Sequence, residues 1–219
     1  MPSFIYEFED LNGWTLWTAP NPPKDLVTPE INIEDTRLGA HAQSVHNGPT
    51  SLRFVKHWLT WHAGVYKQFA VTPLSLCKLS AWGRIWNVES GLFPAPSNTN
   101  THPYLRVGID GSGGTDPASE SVTWNELKVY DEWKKCAVQT SALAGTVTIF
   151  AGFENGRSGM WDLAKMYAFL DSVEFVIEPP VIPPDPDPHP AIVGGVLTES
   201  VTDMGDYFKV VQRWAKVRP

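Results

Sequence analysis

Trp82, Arg84 and Trp86 alternate along the chain with Ala81, Gly83 and Ile85. In an extended strand alternate side chains point to one side, so this spacing lines up an indole, a guanidinium and a second indole on one face. Such a trio suits a ring with apolar C–H patches flanked by hydroxyls, because it offers flat faces for stacking and planar donors beside them. Arg106, from another strand, is expected beside it, with Trp58 and Trp61 overhanging from the loop His57-Trp58-Leu59-Thr60-Trp61-His62. The bland alternative makes Trp82 a core residue, Arg84 a surface one and the loop mere hydrophobic packing. As a metal site the loop is poor, since two histidines five apart lack a third ligand in view.

Hydrolysis of a glycosidic bond needs two carboxylates facing each other across a cleft. Glu7, Glu9, Asp10, Asp110 and Asp116 are present, but no pair is visibly placed for that work. There is no Gly-x-Ser-x-Gly elbow, HExxH helix or P-loop. The run Gly111-Ser112-Gly113-Gly114 follows a strand without opening a helix, so it reads as a loop and not as a phosphate cradle. The sequence predicts a protein that is not an enzyme.

The elements that must position these side chains are short β-branched and aromatic runs cut by Gly, Pro and Asn turns, from Phe4 to Ile177. Strands are expected over Phe4 to Glu9, Ser51 to Lys56, Gly64 to Thr72, Leu76 to Asn87, Tyr104 to Asp110, Trp133 to Thr140, Thr146 to Phe153 and Tyr167 to Ile177. In the fifth, Leu105, Val107 and Ile109 alternate with Tyr104, Arg106 and Gly108, giving one core face and one face for solvent or ligand. The fold class predicted is all-β: an antiparallel β-sandwich over residues 1–178.

The totals agree with that. Apolar residues make up 42% of the 219 and charged ones 19%, enough for one packed core and too little charge for a disordered chain. A net charge of −7 without a basic run argues against nucleic acid as a partner. Ten Trp exceed the needs of a core alone, so some rings are expected at a binding surface. Cys77 and Cys136 form no disulfide framework and read as two reduced, buried thiols, with a bridge between adjacent strands as the alternative. The N-terminus lacks the pattern of a signal peptide, and no apolar stretch is long enough to insert in a membrane.

After Glu178 the composition changes to a Pro-rich run over residues 179–190, which reads as an extended, semi-rigid linker. Residues 191–219 are read as a docking segment, helical from about Thr198. Acidic Glu199, Asp203 and Asp206 precede basic Lys209, Arg213 and Lys216, as a helix dipole favours. Met204, Phe208, Val211 and Trp214 fall on one side and call for a partner, because an isolated helix of this length is marginal in water. A frayed tail is the alternative.

Several stretches, in order, resemble the carbohydrate-binding modules of the galactose-binding-like jelly-roll class. They are Phe8-Glu9-Asp10-Leu11-Asn12-Gly13-Trp14, His46-Asn47-Gly48-Pro49-Thr50-Ser51-Leu52-Arg53, Ala63-Gly64-Val65-Tyr66-Lys67-Gln68, Leu79-Ser80-Ala81-Trp82, Gly145-Thr146-Val147-Thr148-Ile149-Phe150 and Asp171-Ser172-Val173. The resemblance covers about residues 8–176. It implies a jelly roll, a glycan or cell-surface polysaccharide as ligand, and a structural calcium joining first and last strands through Glu9 and Asp171. The family has two consecutive aspartates where this chain has Leu170-Asp171. Such modules act outside cells, and a phage virion reconciles that with the lack of an export signal. The sequence therefore predicts a glycan-binding attachment protein docked in a larger assembly through its tail. The alternatives are a virion decoration, fibre or tail component without a glycan ligand and, more remotely, the accessory module of a carbohydrate-active enzyme.

Overall fold

A computed structural model of the chain describes residues 2–18, 29–57, 61–88, 96–97, 103–155 and 165–181, and the backbone of 202–203 and 209–210. The chain divides into two units, residues 1–180 and 181–219.

The first unit is built from two antiparallel sheets. One contains β1 (Ser3–Tyr6), β3 (Glu30–Asp35), β4 (Thr50–His57), β6 (Leu76–Val88), β9 (Lys134–Ser141) and β11 (Lys165–Glu178); its order is β3-β4-β11-β6-β9, with β1 also paired to β11. The other contains β2 (Thr15–Thr18), β5 (Trp61–Ala70), β7 (Pro103–Asp110), β8 (Val122–Lys128) and β10 (Thr146–Asn155), in the order β2-β5-β10-β7-β8. The predicted sandwich is present, and its neighbours along each sheet are mostly distant in sequence, as a jelly roll requires. Strands β2, β3 and β8 were not predicted. Their residues are short or strongly polar runs, such as Thr-Trp-Asn-Glu-Leu-Lys in β8, which read as loop.

Alternation on each strand decides which side faces the core. Leu79, Ala81 and Ile85 of β6, Leu105, Val107 and Ile109 of β7, and Val147, Ile149, Ala151 and Phe153 of β10 all enter one apolar cluster. Phe54, Trp61 and Phe153 meet ring to ring within it, as do Phe4, Phe69 and Phe175. Burying each such side chain contributes roughly 1.5 to 3 kcal/mol, so the paired rings hold the sheets together without a crosslink. Cys77 and Cys136 are free and buried; Cys136 lies opposite Ala81, four residues along β6 from Cys77.

The long central strand β11 is interrupted once. Its register against β6 shifts between Asp171 and Glu174, and Ser172 takes a left-handed conformation with φ 47°. At this bulge the buried Asp171 carboxylate accepts hydrogen bonds from the backbone N–H groups of His46, Asn47 and Ser172 at 2.8, 3.0 and 2.6 Å. It thereby ties the segment before β4 to the far end of the chain.

In the second unit the described backbone corrects the expected helix. Residues 202–203 (β12) pair antiparallel with 209–210 (β13), Thr202 opposite Val210 and Asp203 opposite Lys209. Threonine and valine favour extended backbone, and Gly205 between the two pairs weakens a helix by about 1 kcal/mol, which outweighs the dipole-ordered charges. Met204, Phe208, Val211 and Trp214 lie outside the described residues.

Candidate functional site

The outer face of the five-stranded sheet carries side chains that its register brings into rows. Gly64 of β5 stands between Trp17 of β2 and Gly152 of β10, and Gly152 lies opposite Arg106 of β7. One step along the face, Phe150 lies between Tyr66 and Gly108, and Gly108 is opposite Trp124 of β8. The glycines are needed for what lies over them. A Cβ on Gly108 would stand 2.6 Å from the Trp124 ring, and one on Gly64 would stand 2.3 Å from the Ala151 carbonyl oxygen and 2.8 Å from the Trp17 ring. Both indoles therefore fold across a bare strand position toward Phe150.

The result is an aromatic cluster on the solvent side of the sheet. Ring centroids of Trp17, Tyr66 and Trp124 lie 6.3, 5.8 and 5.6 Å from Phe150, and Trp17 lies 6.0 Å from Trp124. Phe150 is wholly covered, while Tyr66 and Trp124 keep part of their surface open. Such half-covered rings, fixed by their neighbours, are what stacking on a flat apolar ligand surface needs.

Polar groups form a second row on the same face. The Arg106 guanidinium lies 4.6 Å over the Trp124 ring and bridges two carboxylates, Glu126 at 2.7 Å and Glu154 at 2.6 Å. It also donates to His62 Nε2 at 3.0 Å. Burial, and secondarily the charge of Arg106, push the His62 imidazole down to about 3, so it is the neutral acceptor of that bond. Two buried donors in this group, Trp17 Nε1 and Arg106 Nε, have no hydrogen-bond partner among the described residues. A buried N–H without an acceptor costs about 1 to 3 kcal/mol. Asp110, further along β7, is spent on its own turn, accepting from Ser112 and Ser121.

Of the described residues that the sequence places in the site, only Arg106 lies on this face. Trp82, Arg84 and Trp86 do share one side of β6, but it is the outer side of the six-stranded sheet. Arg106 is in the other sheet and does not lie beside them. Their rings already meet other side chains of this sheet and of the segment before β4. Arg84 lies 4.0 Å over Trp86, which also meets Phe169 edge-on and is 2% exposed. His46 stacks on Trp82 at 4.0 Å, with Trp133 beside it. Trp61 is not on an overhanging loop: β5 begins with it, and it stacks on Phe54 in the core. Trp58 lies outside the described residues.

The calcium expectation meets a different arrangement. Asp171 is fully buried and its oxygens take the three amides described above, whereas Glu9 is exposed. The carboxylate that raises the energy of an ionised Asp171 is Glu7, itself hydrogen-bonded by Asn47. Among the described residues no three His, Cys, Asp or Glu side chains are grouped to hold a metal. Calcium takes oxygen ligands, and the Asp171 oxygens are here turned to N–H donors.

Trp17, His62, Tyr66, Trp124 and Phe150 escaped the sequence reading. The signal was partly there: His62, Gly64, Tyr66 and Gln68 alternate with Ala63, Val65 and Lys67, and Thr148, Phe150 and Gly152 with Ile149 and Ala151. What it lacked was β2 and β8, the strands that bring the two indoles.

No known family profile matches the chain, and no curated protein matches it. Solved structures do share its architecture. TmCBM61, a carbohydrate-binding module in complex with β-1,4-galactotriose, aligns with a TM-score of 0.50 over 78% of this chain and 94% of its own, at 12% identity. The CBM22-1 xylan-binding domain of Xyn10C from Paenibacillus barcinonensis aligns at 0.45 over 80% of this chain and 94% of its own, with 14% identity. The enzymatically active domain of tailspike protein 4 from bacteriophage CBA120 gives 0.49 over 78% of this chain at 13% identity, and this chain spans 20% of it. Identities this low speak to architecture alone. The first unit of this chain has the jelly-roll fold of the carbohydrate-binding modules.

Proposed function

We propose that the protein is a non-catalytic glycan-binding module whose ligand lies across the outer face of the five-stranded sheet. The observation that carries this reading is the pairing of a braced aromatic cluster, Trp17, Tyr66 and Trp124 over Phe150, with the polar row Arg106, His62, Glu126 and Glu154 on that same face. A sugar ring matches both rows, its C–H face on an indole and its hydroxyls toward the charged groups. The fold shared with TmCBM61 supports the reading without fixing the ligand. The test is retention on a panel of immobilised polysaccharides. Trp124→Ala is expected to abolish retention and Trp82→Ala to leave it intact; the reverse pattern would move the site to the six-stranded sheet, and retention by no sugar would remove the reading.

We further propose that residues 191–219 join this module to a larger assembly, such as a phage virion. Support comes from the Pro-rich spacer over 179–190 and from the apolar residues Met204, Phe208, Val211 and Trp214 beyond it. A chain ending at Pro180 is expected to keep glycan retention and to lose assembly; assembly at native stoichiometry by the truncated chain would refute the docking role.

A further inference from the structure

We infer that the face formed by Trp17, Trp124 and Arg106 selects uncharged sugar chains and rejects those bearing carboxylates, because its guanidinium is already held between Glu126 and Glu154. This rests on the proposed glycan-binding reading and narrows its ligand class.

Recognition of an acidic sugar needs a cation free to meet it, usually a guanidinium in bidentate contact with the carboxylate. On this face Arg106 has the geometry but not the freedom. One terminal nitrogen lies 2.7 Å from Glu126 and the other 2.6 Å from Glu154, and the latter also donates to His62. The side chain is mostly covered, at 15% exposure, and lies over the Trp124 ring. A uronate would have to displace one of the two glutamates. Glu154 is itself largely covered, so that exchange strips a carboxylate of its partner where water replaces it poorly.

The remaining charges point the same way. Among the described residues that β7, β8, β5 and β10 direct to this face, Arg106 and Lys128 are positive and Asp110, Glu126 and Glu154 negative, a net charge of −1 (2 − 3). Lys128 lies over the Tyr130 ring, 5.4 Å from its centroid. His62 adds no charge near neutrality, because burial holds it unprotonated. The Arg106 Nε–H and the Trp17 Nε1–H have no partner among the described residues, but both are covered, so neither offers a carboxylate a free donor.

The experiment compares wild type, Glu126→Gln and Glu126→Gln/Glu154→Gln on two groups of soluble polysaccharides. The neutral group is galactan, xylan, mannan and β-glucan; the acidic group is polygalacturonate and alginate. Affinity electrophoresis at two salt concentrations reads retention, and melting curves report folding. Wild type is expected to be retarded by a member of the neutral group and to bind the acidic polymers at least tenfold more weakly. Releasing Arg106 should raise retention by the acidic polymers at least tenfold, in a salt-sensitive way. The single variant, at the more exposed carboxylate, serves if the double one does not fold. Wild-type binding to polygalacturonate or alginate as tight as to any neutral polymer overturns the selectivity while leaving glycan binding intact. Folded variants that gain no acidic ligand overturn the role given to the two glutamates. Retention by neither group overturns the glycan reading itself, and the selectivity with it.

Discussion

Gly108→Ala tests how the aromatic site is built, because it adds one methyl beneath Trp124 and touches nothing in the core. The new Cβ would stand 2.6 and 2.8 Å from ring carbons, about 1 Å inside ordinary carbon–carbon contact. Gly108 is in a central strand hydrogen-bonded on both sides, so the backbone is the stiffer partner and the half-exposed indole must swing outward. It then leaves Phe150 at 5.6 Å, Trp17 at 6.0 Å and the Arg106 guanidinium at 4.6 Å. Two aromatic pairs at about 0.5 to 1.5 kcal/mol each and one cation–π contact near 1 kcal/mol set the cost, about 2 to 4 kcal/mol less whatever the displaced ring recovers elsewhere. Urea unfolding should show a lower midpoint with an unchanged slope, since the same surface is exposed on unfolding. Glycan retention should fall about 10- to 100-fold, the equivalent of one lost stacking ring. Wild-type retention together with a wild-type midpoint would show that Trp124 does not need the bare position at Gly108, and the account of the site would fail at its foundation.

His62 gives a pH signature. Its folded value of about 3 lies below its ordinary 6.5, so between these values the unfolded chain binds the extra proton, and stability is full above pH 6.5 and declines as pH falls. At pH 5 the loss is about 2 kcal/mol relative to neutral pH. Burial raises Asp171 to about 6, more than its amide hydrogen bonds lower it, and this acts in the opposite sense between about pH 4 and 6. The His62 contribution should therefore be taken as the difference between wild type and His62→Gln in urea midpoints at pH 5 and 7.5; parallel curves would refute it. Calcium is expected to leave the melting midpoint unchanged relative to EDTA, because the Asp171 carboxylate is filled by three amides; a rise of several degrees with millimolar calcium would mean that the ion displaces them.

Alternation along a strand was legible and gave the layer structure: Leu105, Val107 and Ile109 are buried and Arg106 is not. The same rule correctly set Trp82, Arg84 and Trp86 on an outward face. Period two distinguishes inside from outside, but a sandwich has two outsides, and nothing within one strand says which is open. That is decided by long-range pairing and by what the connections lay over each sheet. The segment from His41 to Asn47 crosses the six-stranded sheet, where Asp171 fixes its backbone and His46 and Gln43 take up Trp82 and Arg84. Asp171, at position 125 residues from His46, made that possible, and no local pattern announces it. On the opposite sheet the glycines carry the information instead. Gly64, Gly108 and Gly152 look like turn residues or weak points in strands when read locally. Set in register, Gly108 and Gly64 lie beneath Trp124 and Trp17, whose strands are too short or too polar to recognise, while Gly64 and Gly152 face each other where a Cβ would strike the neighbouring backbone. A glycine inside a strand opposite a tryptophan is thus a sharper pointer to a binding face than the tryptophan alone, since a bulky ring lying flat on a sheet needs a position without a side chain beneath it.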